Sequence, residues 1–238
     1  MTKKRCDKTI LGILGGMGSE ATQILLQLIF SNTAVKKDQD HLDILVYNHA
    51  SLPDRTTCIL NDRSDELLAL LRQDMEMLKR MGCAYFAIPC NTCHYFTDEF
   101  KRLTDDRFID MIEQTAKALQ QKGLRKVGIL ATDGTRKAGL YTKQLEKYQI
   151  EALYPSDQGQ RSVMDIIYTQ IKQGQSGSTA QFQAIIEELE AMGCEAYVLA
   201  CTELSVYKYK QAPYDDSLID ALSILAKACI MKCGGTLL

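Results

Sequence analysis

No apolar run among the chain's 238 residues reaches the roughly 18 residues that a bilayer-spanning helix needs, so no membrane association is expected. No block of like charge runs along it, and the net charge is −2. Nucleic acid is therefore not expected as a main partner. Histidine is scarce. His41, His49 and His94 show no paired spacing, and Cys229 and Cys233 lack partners nearby, so no metal site is expected. The nine cysteines form no regular framework of the kind that disulfide-stapled secreted domains use. That suits a reducing compartment, with most thiols acting as small buried hydrophobes. No cleavable leader is expected either. Lys3, Lys4 and Arg5 precede an apolar stretch at 9–17, but that stretch holds three glycines, is followed by Glu20 and lacks a small-x-small cleavage site. It reads as a first strand with a basic lead-in, in a cytoplasmic protein.

What the chain does have is a repeat. Residues 11–18 (LGILGGMG) match 127–134 (VGILATDG), 81–90 (MGCAYFAIPC) match 192–201 (MGCEAYVLAC), and 108–118 (FIDMIEQTAKA) match 218–228 (LIDALSILAKA). Three matches in the same order and nearly the same spacing imply a duplicated unit. Each unit reads β-α-β-α-β-α. The short continuous apolar runs at 10–14, 44–47 and 85–88 suit strands buried on both faces. Helical spacing marks 21–30, opened by Ser19 and Glu20, and 65–81, where Leu67, Leu68, Leu71, Met75 and Leu78 recur before Gly82. Residues 181–192, ended by Gly193, repeat this in the second half. The expected fold is α/β, with two pseudo-symmetric domains, each a parallel sheet flanked by helices, and the active site in the cleft between them. Residues 1–100 with 208–238 are assigned to the N-terminal domain and 101–207 to the C-terminal one. Segments after each cysteine are expected to cross between them.

Parallel α/β sheets bind ligands beyond the carboxyl ends of their strands. The candidates are therefore 15–19, 48–55, 90–92, 132–135 and 201–203. Cys90 and Cys201 stand at matched strand ends, on opposite walls of one cleft, each just before an expected helix start that would lower its pKa. Cys83 and Cys194, at the starts of the same strands, read as core. Two thiols facing each other suit inversion of a Cα centre, which needs a base on one face and an acid on the other. Thiol and thiolate lie close in free energy near neutral pH, so cysteine serves both roles.

Other readings are weaker. GMGSEA at 16–21 fits a dinucleotide-binding variant, but the second strand ends Val46-Tyr-Asn-His49 without the acidic residue that motif wants. Cys90-Asn-Thr-Cys93 resembles a redox C-x-x-C, yet Leu204 stands at the place matching Cys93, and Cys93 reads as helix packing. His94 reads as a capping or packing residue, and His49 is left outside the site. Glu203 either orients Cys201 or a neighbouring amide, or is a first-turn acid. A two-domain protein that closes on a small ligand without chemistry is the alternative of a different class. It has no need of paired strand-end thiols.

Together Gly15-Gly-Met-Gly18, Pro53-Asp-Arg55, Pro89-Cys-Asn-Thr92 and Cys201-Thr-Glu203 resemble the motifs of the cofactor-independent aspartate/glutamate racemases, in order over nearly the whole chain. The likeness is to the aspartate racemase branch, since glutamate racemases usually carry Asp-Ser where this chain has Gly16-Met17. The resemblance implies that Cys90 and Cys201 are the catalytic thiols and that Arg55 grips the substrate's side-chain carboxylate. It implies a helping lysine, which Lys172 fits. It places Asn91, Thr92, Thr132, Thr135 and Thr202 where the family binds the α-carboxylate and ammonium. Met17 and Glu203 complete the expected substrate-binding set. A dicarboxylic amino acid as substrate, no cofactor, and a homodimer follow from the same resemblance. Ser19, Cys93 and Ala200 depart from it, standing where proline, alanine and glycine are usual. A broad-specificity subgroup has threonine for the first cysteine, so Cys90 favours aspartate without excluding glutamate. Hydantoin racemase, maleate isomerase and arylmalonate decarboxylase relatives share the fold.

Overall fold

A computed structural model describes residues 8–211 and 215–238. The basic lead-in Lys3, Lys4 and Arg5 lies outside the described residues. The first half runs β1 (Ile10–Gly15), α1 (Ser19–Asn32), β2 (Asp43–Asn48), α2 (Arg55–Leu60), α3 (Ser64–Arg80), β3 (Tyr85–Ala87), α4 (Thr97–Leu103) and α5 (Met111–Gln121). The second runs β4 (Lys126–Ala131), α6 (Asp133–Lys137), α7 (Leu140–Glu146), β5 (Glu151–Leu153), α8 (Asp157–Asp165), α9 (Thr179–Ala191), β6 (Ala196–Ala200), α10 (Thr202–Gln211), β7 (Leu218–Asp220) and α11 (Ala221–Lys232).

Both sheets are parallel. Their orders are β2-β1-β3 and β5-β4-β6-β7, so β1 and β4 hold equivalent places. The central strands are buried along their length, which is why they read as continuous apolar runs. α3 shows why its segment is a helix. Leu67, Leu71, Met75 and Leu78 share one buried stripe, and Asp65 and Glu66 open it while Lys79 and Arg80 close it, as the helix dipole favours. Truncating Leu71 or Leu78, both fully buried, to alanine costs about 2–5 kcal/mol at such sites.

The third repeat match has a structural explanation. Phe108 bridges Phe86 in parallel beside β3, as β7 pairs with β6. Asp110 then caps α5, its carboxylate accepting from the Ile112 and Glu113 N–H groups, and Asp220 caps α11 through Leu222 and Ser223. The shared Ile-Asp is thus the end of a short edge segment and a helix cap in one. These edge segments escape the periodicity because they are so short. The helices behind them exchange sides. α5 lies against α7, whereas α11 lies against α1 and α5. Residues 218–220, assigned in advance to the first domain, pair instead with β6 of the second sheet, while α11 does lie on the first half. The exchange joins the halves through one large apolar cluster that includes Leu11 and Leu25 of the first and Leu199, Leu225 and Ile230 of the remainder.

Candidate active site

The loops after β1, β2, β3, β4 and β6 converge on one small cavity. Gly16 makes the first turn possible. Its φ is +90°, and a Cβ there would lie 2.4 Å from the His49 backbone. This turn delivers Met17. The loop after β2 leads into α2, capped by Asp54, which accepts from the Thr57 N–H, and so delivers Arg55. The segment after β3 delivers Cys90, Asn91 and Thr92. Thr132 caps α6 after β4, and Cys201 follows β6 directly, ahead of Thr202 and Glu203.

Met17, Arg55, Cys90, Asn91, Thr92, Thr132, Lys172, Cys201, Thr202 and Glu203 all line this cavity. Thr135 does not. It is fully buried one layer back, with its hydroxyl 3.1 Å from Thr92 Oγ1 and 3.2 Å from Thr132 Oγ1. Thr56 and Tyr168, which lay outside every candidate segment, share the lining, as does Asp54, which lay within 48–55 but was given no role. Asp54 lay within the Pro53-Asp-Arg55 motif and was detectable there. Tyr168 had no local signal, since its hydroxyl meets Asp54 Oδ2 at 3.0 Å from 114 positions away.

The segment after Cys90 is a 3-10 turn, Thr92–Phe96, rather than the expected α-helix, and Asn91 makes no capping bond. Asn91 Oδ1 instead accepts from the Tyr141 hydroxyl at 2.6 Å, and its Nδ2 is buried without a partner. His94 packs and bridges, as expected. Its Nδ1 lies 2.9 Å from the Cys90 carbonyl and its Nε2 accepts from the Met111 N–H at 3.0 Å. Burial first of all lowers its pKa, so the ring is neutral. His49 pairs with Asp74 at 2.8 Å, outside the cavity lining.

The two thiols are not electrostatic equals, contrary to the expectation that both would be lowered. The neighbouring Cys93 and the Arg55 guanidinium together outweigh burial and the Glu203 carboxylate and bring the Cys90 thiol down to about 6, while Cys93 Sγ itself lies 3.3 Å from Met17 Sδ. Burial pushes Cys201 well above its ordinary value, and Glu203 adds to this. Cys201 Sγ lies 3.0 Å from Glu203 Oε2, and Lys172 opposes the rise only in part. Cys90 is thus the thiol that ionises more readily and Cys201 the one that keeps its proton more firmly.

The cations are held. Burial disfavours the Arg55 charge, but Cys90, Cys93 and Asp54 outweigh it. Its fork donates to the Pro53 carbonyl at 3.0 Å and the Met17 carbonyl at 3.1 Å, while Nε is buried without a partner. Lys172 Nζ sits 3.7 Å over the Tyr168 ring, 3.4 Å from Asp54 and 4.0 Å from Glu203. Lys172 belongs to the 3-10 turn Ile171–Gln173, which follows a π-helical turn, Ile166–Gln170, that carries Tyr168. Such irregular turns recur at functional sites.

The cavity is closed to about 10 Å³, room for roughly one water molecule. A groove of about 470 Å³ adjoins it and shares Asp54, Arg55, Lys172 and Glu203. A slightly larger groove, about 520 Å³, lies along α5 and α11 and contains none of the thiol-site residues, so size is no guide to the chemistry here.

Two parallel α/β halves each send a buried thiol from an equivalent strand end into one cavity. The family of Asp/Glu/hydantoin racemases matches residues 14–229. The chain belongs to that family and is an isomerase of the amino-acid racemase type. It is similar to the aspartate racemase of Picrophilus torridus, at 30% identity and a TM-score of 0.81, covering 97% of this chain and 96% of that one. It is also similar to the broad-specificity amino-acid racemase of Bacillus subtilis, at 26% identity over 93% of this chain and 96% of the relative. The glutamate racemase of Francisella tularensis, solved with D-glutamate, shares the fold, at 20% identity and a TM-score of 0.65, over 94% of this chain and 80% of that one.

Proposed function

We propose that the chain interconverts L- and D-aspartate without a cofactor, by proton transfer at Cα between two cysteines. The observation that carries this reading is the pair of buried thiols in one cavity, Cys90 lowered to about 6 and Cys201 raised. One sulfur is thereby ready to take a proton and the other to give one. In one direction the Cys90 thiolate removes the Cα proton and the Cys201 thiol delivers its own to the opposite face. This leaves Cys90 neutral and Cys201 anionic. The reverse direction restores the first state, with the roles exchanged.

Arg55 and Lys172 supply positive charge for the substrate's carboxylates. The unpartnered Asn91 Nδ2 offers a further donor, and the Thr92, Thr132 and Thr202 hydroxyls line the same wall. These donors would also stabilise the enolate-like charge of the transition state, at about 3–4 kcal/mol for a well-placed one. Thr135 acts one layer back, by holding Thr92 and Thr132. Aspartate cannot occupy about 10 Å³, so the walls part to admit it from the adjoining groove. Asp54 then yields Lys172 to the substrate.

Broad action on aspartate and glutamate is the second reading, favoured by the likeness to the broad-specificity relative. A cytoplasmic homodimer, and the division of the chain into two domains across the cleft, complete the proposal. The test is incubation of the purified protein in D2O with L- and D-aspartate and L- and D-glutamate, without added cofactor. Cα exchange is followed together with optical rotation. Both are expected with aspartate, and no exchange with any of the four would overturn the racemase reading.

A further inference from the structure

Asp74 is the one charged side chain among the buried residues of α3, whose stripe is otherwise Leu67, Leu71, Met75 and Leu78. A buried carboxylate is costly unless it is paired. Its partner is His49, just after β2, with Nδ1 2.8 Å from Asp74 Oδ2. Neither residue lines the cavity. The His49 main chain, however, ties together two loops that do. Its N–H donates to the Gly15 carbonyl at 3.2 Å, and its carbonyl accepts from the Leu52 N–H at 3.4 Å. Its backbone also lies 2.4 Å from where a Gly16 Cβ would stand. Gly16 leads to Met17 and Leu52 leads to Arg55. The Arg55 guanidinium closes the circuit by donating to the Pro53 and Met17 carbonyls, at 3.0 and 3.1 Å.

We propose that Asp74 and His49 are positioning residues for the reaction: their pairing pins the loop after β2 and the Gly16 turn to α3, and so sets the place of Arg55 and its grip on the substrate's side-chain carboxylate. This inference rests on the role given to Arg55 above. Stability does not explain the pair. An apolar residue at position 74 would continue the stripe of α3, and replacing buried ionic groups by apolar ones is often neutral or stabilising. The His49 side chain is 21% exposed, so without Asp74 its ring can turn to water. The expected kinetic signature follows from chemistry. The side-chain carboxylate takes no part in the bond changes at Cα, so its contact with Arg55 is shared by ground state and transition state. Loosening that contact raises KM and leaves kcat largely in place.

The test compares the wild type, Asp74→Leu and Asp74→Asn by kinetics with aspartate, urea unfolding and amide hydrogen exchange at residues 15–19 and 48–56. In Asp74→Leu, KM is expected to rise about tenfold with kcat held within about threefold. Both segments should exchange several-fold faster, with a urea midpoint no lower than that of the wild type. Asp74→Asn keeps an oxygen that accepts from His49, and its KM should stay within about twofold of the wild type. Should the leucine variant fail to fold, His49→Phe keeps a ring against Tyr47 without a nitrogen and is expected to change in the same way. Unchanged KM and exchange in the variant that lacks the pair, or an asparagine variant altered as far as the leucine one, would overturn the proposal. Hydrogen exchange needs no substrate. If the wild type failed to turn over aspartate, the racemase reading would fall while exchange at the two segments still decided whether the pair holds them.

Discussion

Cys90 and Cys201 end equivalent strands of equivalent sheets, yet their surroundings are opposite. Near Cys90 stand a cation, Arg55, and a second thiol, Cys93. Beside Cys201 stands a carboxylate, Glu203. Duplication explains why the sulfurs meet in one cavity. It does not explain their charge, which residues outside the repeated strands impose. In the proposed two-thiol reaction, the two sulfurs would therefore start from unlike surroundings.

The largest effect should come from removing either sulfur. Cys90→Ala and Cys201→Ala should each lower racemisation by about 10³-fold or more, within the range typical of general acid–base groups. Full activity in either variant would break the comparison outright.

Removing the opposing charges should sharpen it. Glu203→Gln takes the anion away from Cys201, so its pKa falls toward that of Cys90 and labelling of Cys201 at pH 8 should accelerate several-fold. Arg55→Gln should act in the other sense, raising Cys90 by about one unit and slowing its labelling at pH 5 by about tenfold. In the wild type, protonation of Cys90 removes the base. The activity that starts from Cys90 should therefore be present above about pH 6 and fall as the pH drops through that value.

The smallest effect concerns a place where the halves remain alike. Asp110→Ala and Asp220→Ala each remove a helix cap at the same repeat position and should each cost about 1 kcal/mol in urea unfolding. A difference of several kcal/mol between them would show that the repeat no longer governs even these caps.

Much of this was legible from residues alone. The strands around Leu11, Val127, Phe86 and Tyr197 could be read because burial on both faces leaves continuous apolar runs. Cys90 and Cys201 could be located because the repeat aligned them at strand ends. What escaped depends on contacts between distant parts of the chain. Tyr168 reaches Asp54 across the cleft, and Thr135 lies behind Thr92. The short edge at 218–220 carries too few residues for a period, so its pairing with β6 was not foreseen. The inequality of the thiols also escaped. A helix start predicts the same shift for both, whereas their unlike neighbours, Cys93 and the remote Arg55 at Cys90 and Glu203 at Cys201, set them apart.

The central claim is that the two sulfurs serve opposite faces of one carbon. Its most direct test is enantiomer-resolved Cα exchange in D2O with Cys90→Ala and Cys201→Ala. Each variant retains one sulfur, so each should exchange at most one enantiomer of aspartate, without inversion, and the two variants should differ in which one. Exchange of both enantiomers by a single-thiol variant, or of the same enantiomer by both variants, would contradict the account.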